Sequence, residues 1–267
     1  MPLRLGLGLT GQRIGSNPAD LFAVSGSRGF MFDLSDYGSQ FQDTAGTVPI
    51  TTTGQSVARV NDKSGLGNNM TQATGASMPL TTTIGTGFRG IQFDGVDDWL
   101  QTAAVDFSNS DEVTVVAGVR KLSDAAQGVV AELGVNSGGG GAEAGVFGLL
   151  MPRTAGQGEF ALNAKGTIVS PVTASGFPAP RSAVLSAQAK ISTDNALLRV
   201  NGALSASSAT DLGTGNFGNY PMYLGRRGGA TNPFNGVLTF LFVINRLLTA
   251  NELAAVERFA NARTGAF

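Results

Sequence analysis

Gly90-Ile91-Gln92-Phe93-Asp94-Gly95-Val96-Asp97-Asp98-Trp99-Leu100-Gln101 is the stretch on which the fold turns. Ile91 and Phe93 alternate with Gln92, the period of a strand with one apolar face. Asp94-Gly95 then offers one residue that tolerates a positive φ and one that favours it. The stretch therefore reads as strand, tight turn, strand. Trp99, the single tryptophan of the chain, follows a cluster of acids.

Outward from this stretch the same period recurs. Val113, Val115, Ala117 and Val119 alternate with Thr114, Val116, Gly118 and Arg120, which predicts a long strand whose odd residues face a core. Further strands are expected at Phe30-Met31-Phe32-Asp33, near 128–133, 144–151, 158–164 and 182–190, and at Met222-Tyr223-Leu224. Asn201-Gly202 between two apolar runs predicts a type I′ hairpin. Gly236–Ile244 is apolar on both faces and reads as a central strand covered on both sides. Thr249 with Glu252 three residues on forms a capping box, and Leu253, Val256, Phe259 and Ala260 follow at helical spacing. Gly265 ends that helix.

Composition narrows the chemistry. Of 267 residues, 42% are hydrophobic and only 14% charged, and 38 glycines imply many turns. The formal net charge of −1 gives no global field for nucleic acid, so no nucleic-acid partner is expected. The chain has no cysteine and no histidine, which removes disulfides, thiolate nucleophiles, Ser-His-Asp triads and His-ligated metals. No apolar run is long enough for a membrane-spanning helix, so no membrane insertion is expected, and the glycine-broken start does not read as a signal peptide.

Three segments carry a resemblance. The Asp94-Gly95 stretch resembles the FDGVDDYL signature of laminin-G-like, concanavalin A-like jelly rolls. Asn201-Gly202 looks like a strand pair common in those domains. Phe234-Asn235-Gly236-Val237 through Ile244-Asn245-Arg246-Leu247-Leu248-Thr249 resembles their closing strand and helix. The resemblance implies an all-β concanavalin A-like jelly-roll sandwich with a short C-terminal helix. A second block, Phe32-Asp33-Leu34-Ser35-Asp36 through Asp62-Lys63-Ser64-Gly65 and Thr71-Gln72-Ala73-Thr74, is similar to one found in tailed-phage and prophage virion proteins. Those copies read DKSGNGNHATQAT, and Asn69 here stands where they carry His.

The chain is divided into an N-terminal docking arm, 1–28, and a sandwich, 29–267. Leu3, Arg4, Leu5, Leu7, Leu9, Arg13, Leu21 and Phe22 are the arm residues expected to dock. Gly6-Leu7-Gly8-Leu9-Thr10-Gly11 matches a dinucleotide fingerprint in letters only, since no βαβ unit surrounds it. Asp94, Asp97 and Asp98 are weak candidates for a calcium site, because hard cations take clustered carboxylates. Turn capping explains the same residues without a metal, and neither metal nor cofactor is expected. Trp99, Asn216, Asn219 and Tyr220 are the candidate glycan surface, although Trp99 reads first as a half-buried sandwich residue and the loop Asn216–Tyr220 reads equally as a plain connection. The acids Glu112, Glu132, Glu143 and Glu159 lie in different segments and form no catalytic triplet, so no enzyme is expected. The resemblance implies a structural virion protein of a tailed phage, made in the host cytoplasm, homo-oligomeric and joined to capsid or tail proteins. The alternative is a carbohydrate-binding module that attaches the virion to host-surface glycan, and a polysaccharide depolymerase stands third.

Overall fold

The computed structural model describes residues 17–85, 87–135 and 143–267. Its strands are β1 (Gly29–Asp33), β2 (Gln40–Phe41), β3 (Arg59–Val60), β4 (Met70–Thr71), β5 (Leu80–Ile84), β6 (Phe88–Asp94), β7 (Leu100–Asp106), β8 (Glu112–Lys121) and β9 (Val129–Leu133). They continue with β10 (Phe147–Leu150), β11 (Glu159–Lys165), β12 (Val169–Ser175), β13 (Arg181–Lys190), β14 (Asn195–Val200), β15 (Ala203–Ser208), β16 (Asn219–Leu224) and β17 (Asn235–Ile244), and helix α1 (Ala250–Thr264) follows.

The strands form two antiparallel sheets, a jelly-roll sandwich. The first runs β15-β14-β13-β8-β17-β6-β5, and the second β12-β11-β10-β9-β16-β7-β4-β3-β2. β17 is the spine of the first sheet. One of its edges pairs with β8; the other is shared by β6, along Asn235–Leu238, and β1, along Phe240–Ile244. Leu238, Leu241 and Val243 point into the core between the sheets, while Phe240, Phe242 and Ile244 point out beneath α1. The expectation of a strand covered on both faces is met.

The Asp94-Gly95 stretch departs from the hairpin reading. β6 lies in the first sheet and β7 in the second, so Asp94–Trp99 is a corner that carries the chain across the sandwich. The turn chemistry is as read: Gly95 sits at φ +80°, and a Cβ there would meet the Asn235 side chain at 2.7 Å. Which strands pair is set elsewhere, by Phe93 against Gly236 and Gln101 against Tyr223. Asn201-Gly202 is the true hairpin, both residues at positive φ (52° and 76°) as a type I′ turn requires.

The register of β8 is as expected, with Val113, Val115, Ala117 and Val119 in the inter-sheet core. The expected contrast in exposure holds at Arg120 but fails at Thr114, which is fully buried. The outer face of this sheet is not solvated. Helix α1 lays Leu253, Val256 and Ala260 over Val116, Val184 and Phe242, making a second core. The helix begins as read: the Thr249 side chain accepts from the Glu252 amide, and the Glu252 carboxylate accepts from the Thr249 amide at 2.8 Å.

Leu21 and Phe22 belong to this second core, which corrects their assignment to a docking arm. Asn17 caps a short turn, Pro18–Ala23, by accepting from the Ala19 amide, and the Phe22 ring lies 5.0 Å from that of Phe242. Both side chains are spent on the chain's own helix and sheet, a gain of about 1.5–3 kcal/mol for each buried side chain. Leu3, Arg4, Leu5, Leu7, Leu9 and Arg13 lie outside the described residues.

Candidate functional site

Alternation along the second sheet sorts its side chains. Leu133 and Ala131, Met222 and Leu224, Phe147 and Leu149, Leu162 and Ala164, and Leu100 all enter the inter-sheet core. Their neighbours in sequence therefore face the other way. Cross-strand register then aligns those neighbours into one row on the outer face. Asn163 lies opposite Gly148, Gly148 opposite Glu132, Glu132 opposite Tyr223, and Tyr223 opposite Gln101.

Glu132 is the centre of the row. It is 2% exposed, and Arg227 clamps it with Nε at 3.0 and 3.1 Å from its two oxygens and Nη2 at 3.0 Å. Burial pushes its carboxyl above the usual range, Arg227 opposes that, and the nearby charge of Glu143 adds to it. Gly148 makes the arrangement fit. A Cβ there would lie 3.2 Å from both Cβ and Cγ of Glu132, so glycine leaves room for that side chain on β10.

Two aromatic residues flank the glutamate. Tyr223 is 8% exposed, its hydroxyl donating to the Val135 carbonyl at 3.3 Å, and burial raises its pKa. The Trp99 ring lies 6.0 Å from that of Tyr223 at 42°. Trp99 is half-buried, because Gly229 packs on its indole; a Cβ there would stand 3.0 Å from Cε2 and Cζ2. Trp99 is thus a wall of the row with one face already taken.

Some hydrogen-bonding groups are left over, Asn163 of the row among them. Glu143 Oε2, Asn163 Oδ1 and Arg226 Nε are buried without a partner among the described residues. Leaving such a group unsatisfied costs about 1–3 kcal/mol, so each asks for an explanation. Beside the polar row, Val129, Leu150 and Ala161 form a small buried apolar cluster.

The acids singled out in the sequence divide between roles. Glu112 pairs with Lys190 at 2.8 Å, and Glu159 accepts from the Thr154 amide at 2.6 Å, both away from the row. Asp94, Asp97 and Asp98 each place an oxygen within 4.8 Å of the others, the spacing a cation would use. They are also spent on the corner. Asp94 Oδ1 accepts from the amides of Val96 (2.7 Å) and Asp97 (3.3 Å), and Asp98 Oδ2 accepts from that of Asp94 (2.9 Å). Burial, with the charges of Asp94 and Asp97 added, pushes Asp98 up to about 6.

The structure does not bring the four glycan candidates together. Asn219 and Tyr220 pair with Asp106 and Val105 at the far end of β7, about 20 Å along the strand from Trp99. There the Tyr220 hydroxyl donates to the Ala144 carbonyl (3.0 Å) and Asn216 donates to that of Ser108 (2.7 Å). The Tyr220 ring lies over Gly218. The Asn216 and Tyr220 side chains hold the rim, and Asn219 is exposed there. The residues that sequence reading passed over are Tyr223, Arg227, Gln101 and Asn163.

The same front segment explains Asn69. Asp62 accepts from the amides of Met31, Ser64 and Asn68, and the Asn69 side chain accepts from the Asp62 amide at 2.9 Å. This position therefore braces the loop onto β1.

Comparison with known proteins agrees with the fold. No curated protein matches the sequence. Among solved structures, the botulinum neurotoxin serotype G binding domain superposes with a TM-score of 0.57 at 12% identity, over 76% of this chain and 49% of that one. A botulinum neurotoxin type C structure, whose cell entry is described as dependent on two ganglioside molecules, gives 0.57 at 9% identity over 91% and 53%. A Trypanosoma rangeli sialidase, in complex with the inhibitor DANA, gives 0.51 at 14% over 84% and 36%. This chain spans about half the length of those toxin structures, and likeness at such identity speaks for the fold. Residues 94–254, more than half the chain, match a family directly, and the protein belongs to the concanavalin A-like lectin/glucanases superfamily.

Proposed function

We propose that this protein is a non-enzymatic carbohydrate-binding module whose glycan lies across the outer face of the second sheet, along the row from Asn163 to Trp99. The observation that carries this reading is the register that lines up Asn163, Glu132, Tyr223 and Gln101 on one outer face beside Trp99. Asn163 and Gln101 are only partly buried, and their amides can both donate to and accept from the hydroxyls of a sugar. The free part of Trp99 adds apolar ring surface beside them. The ganglioside in the description of the type C toxin structure supports the same reading by analogy of fold. Glu132 is held by both sides of the Arg227 fork, so it is a fixed acceptor and not a free acid for glycosidic cleavage. In this reading Asp94, Asp97 and Asp98 brace the corner and need no cation.

A glycan array probed with the full chain tests the proposal. Binding to a defined glycan, lost on Trp99→Ala and on Asn163→Ala but kept on Asn219→Ala, supports the row. Binding lost on Asn219→Ala and kept on the other two places the glycan at the rim instead and overturns the site.

A second reading rests on residues 32–74, which are similar to a block of tailed-phage virion proteins. There the sandwich is a homo-oligomeric virion component, and the glycan site serves attachment to the host. Immunogold labelling of particles tests that placement, and unlabelled particles refute it.

A further inference from the structure

At the end of the sandwich opposite the Trp99 corner, where β6 begins, lies an open pocket of about 200 Å³ lined by Ser35, Gly87, Phe88, Arg89, Ala262 and Arg263. Two guanidinium groups border it, and each rests on an aromatic ring. Arg89 is exposed, with its guanidinium carbon 4.6 Å from the centre of the buried Tyr37 ring. Arg263 lies 3.4 Å from the centre of the Phe259 ring. Its Nε donates to Asp33 Oδ2 (2.6 Å) and one terminal nitrogen, Nη1, to the Phe259 carbonyl (3.1 Å), which leaves Nη2 without a partner among the described residues.

The charges at this end do not balance. Asp33 is matched to Arg263 and also accepts from Ser35, and Asp36 is matched to Lys63. Among the described residues no carboxylate lies within ion-pair distance of Arg89. Stacking holds a guanidinium plane while leaving its N–H edges free, the form in which arginine binds oxyanions through paired hydrogen bonds. The Phe88 ring and Ala262 give the pocket an apolar wall, where such bonds are stronger than in bulk water.

We propose that Arg89 and Arg263 bind a small oxyanion in this pocket, the carboxylate, sulfate or phosphate group of an acidic ligand or the free ion itself. The site is separate from the row at Glu132 and does not rest on it.

The test is isothermal titration of the full chain with sodium sulfate and sodium phosphate at constant ionic strength. A second arm uses a sialylated and a sulfated oligosaccharide, each against its neutral parent. Wild-type protein is expected to bind at least one oxyanion, Arg89→Ala to weaken it tenfold or more, and Arg89→Lys to weaken it less. Asn219→Ala, remote from this pocket and outside the row, is expected to leave sulfate and phosphate binding unchanged. An acidic sugar bound tenfold more tightly than the inorganic ion identifies a sugar-borne group; equal affinity identifies the free ion. Far-UV circular dichroism checks the fold of Arg89→Ala, and Arg89→Gln replaces it if that variant does not fold. Wild-type protein that binds none of these probes, or loss of the Arg89 guanidinium without effect, overturns the proposal.

Discussion

Replacing Asp98 by Asn isolates the electrostatics of the corner. Asp98 is 7% exposed, and its side chain accepts from the Asp94 amide, a bond that an Asn oxygen can also accept. Burial and two neighbouring carboxylates raise its pKa from 3.8 to about 6. A carboxyl whose pKa is raised by folding binds its proton more tightly in the folded state. Its neutral form is therefore favourable below about pH 4, and stability falls as pH rises towards 6 and is level above it. At about 1.36 kcal/mol for each pH unit, the rise from 3.8 to about 6 sets an upper bound of about 3 kcal/mol. Asp94 at the same corner is exposed, and solvent screening reduces the net effect to about 1 kcal/mol. Asp98→Asn is thus expected to raise the urea midpoint at about pH 8 and to leave it unchanged at about pH 4. Repeating the titration with calcium and with chelator addresses the cation reading, since an ion bound only to the native state would stabilise wild-type protein and not the variant. An equal gain at both pH values, or none at either, refutes the electrostatic account. Stabilisation by calcium that Asp98→Asn abolishes would establish a metal site in its place.

Other expectations follow from the packing and the ion pairs. Arg227→Ala strips the buried Glu132 of its counter-charge and is expected to cost about 3–5 kcal/mol, part of it recovered when Glu132→Gln is added; denaturant titration of the single and double variants decides, and a single variant as stable as wild type refutes the clamp. Thr249→Ala removes the helix cap at a cost of about 1 kcal/mol, and an unchanged denaturation midpoint would contradict it. Glu252 is held down to about 2 by its hydrogen bonds to Arg246, against burial and with help from Thr249, so its contribution is expected in full above about pH 4.5 and to be lost as pH falls towards 2; Glu252→Gln should flatten that acid limb of the stability curve. Phe22→Ala opens the second core and is expected to cost about 3 kcal/mol; a variant of wild-type stability would return this residue to the docking arm.

What could be read from the sequence was whatever depends on neighbours a few residues away. Asn201-Gly202 requires two positive φ angles, which is a local demand, and the hairpin is where it was expected. The capping box at Thr249 and Glu252 and the doubly apolar run of β17 are local in the same sense. Asp94-Gly95 shows the limit. Its turn chemistry was read correctly, but whether the chain then folds back on β6 or crosses to the other sheet is decided by partners more than a hundred residues away, Gly236 and Tyr223. Thr114 shows it again, since alternation cannot reveal that a helix from the C-terminus covers the outer face. The row from Asn163 to Gln101 is the extreme case. Gln101, Glu132, Gly148, Asn163 and Tyr223 come from five strands, and each alone is an ordinary outward residue. One signal was available: Glu132 stands inside Val129–Leu133 and Asn163 inside Phe160–Ala164, single polar residues in runs otherwise apolar. A lone acid at such a place must either meet solvent or be paired, and here the same fold that buries it also supplies Arg227. Proximity along the chain drew attention instead to Asp94, Asp97 and Asp98, where closeness follows from building a tight corner. In this sandwich the row is gathered by register across five strands and the three carboxylates by a single loop, and only the second kind of closeness is visible along the chain.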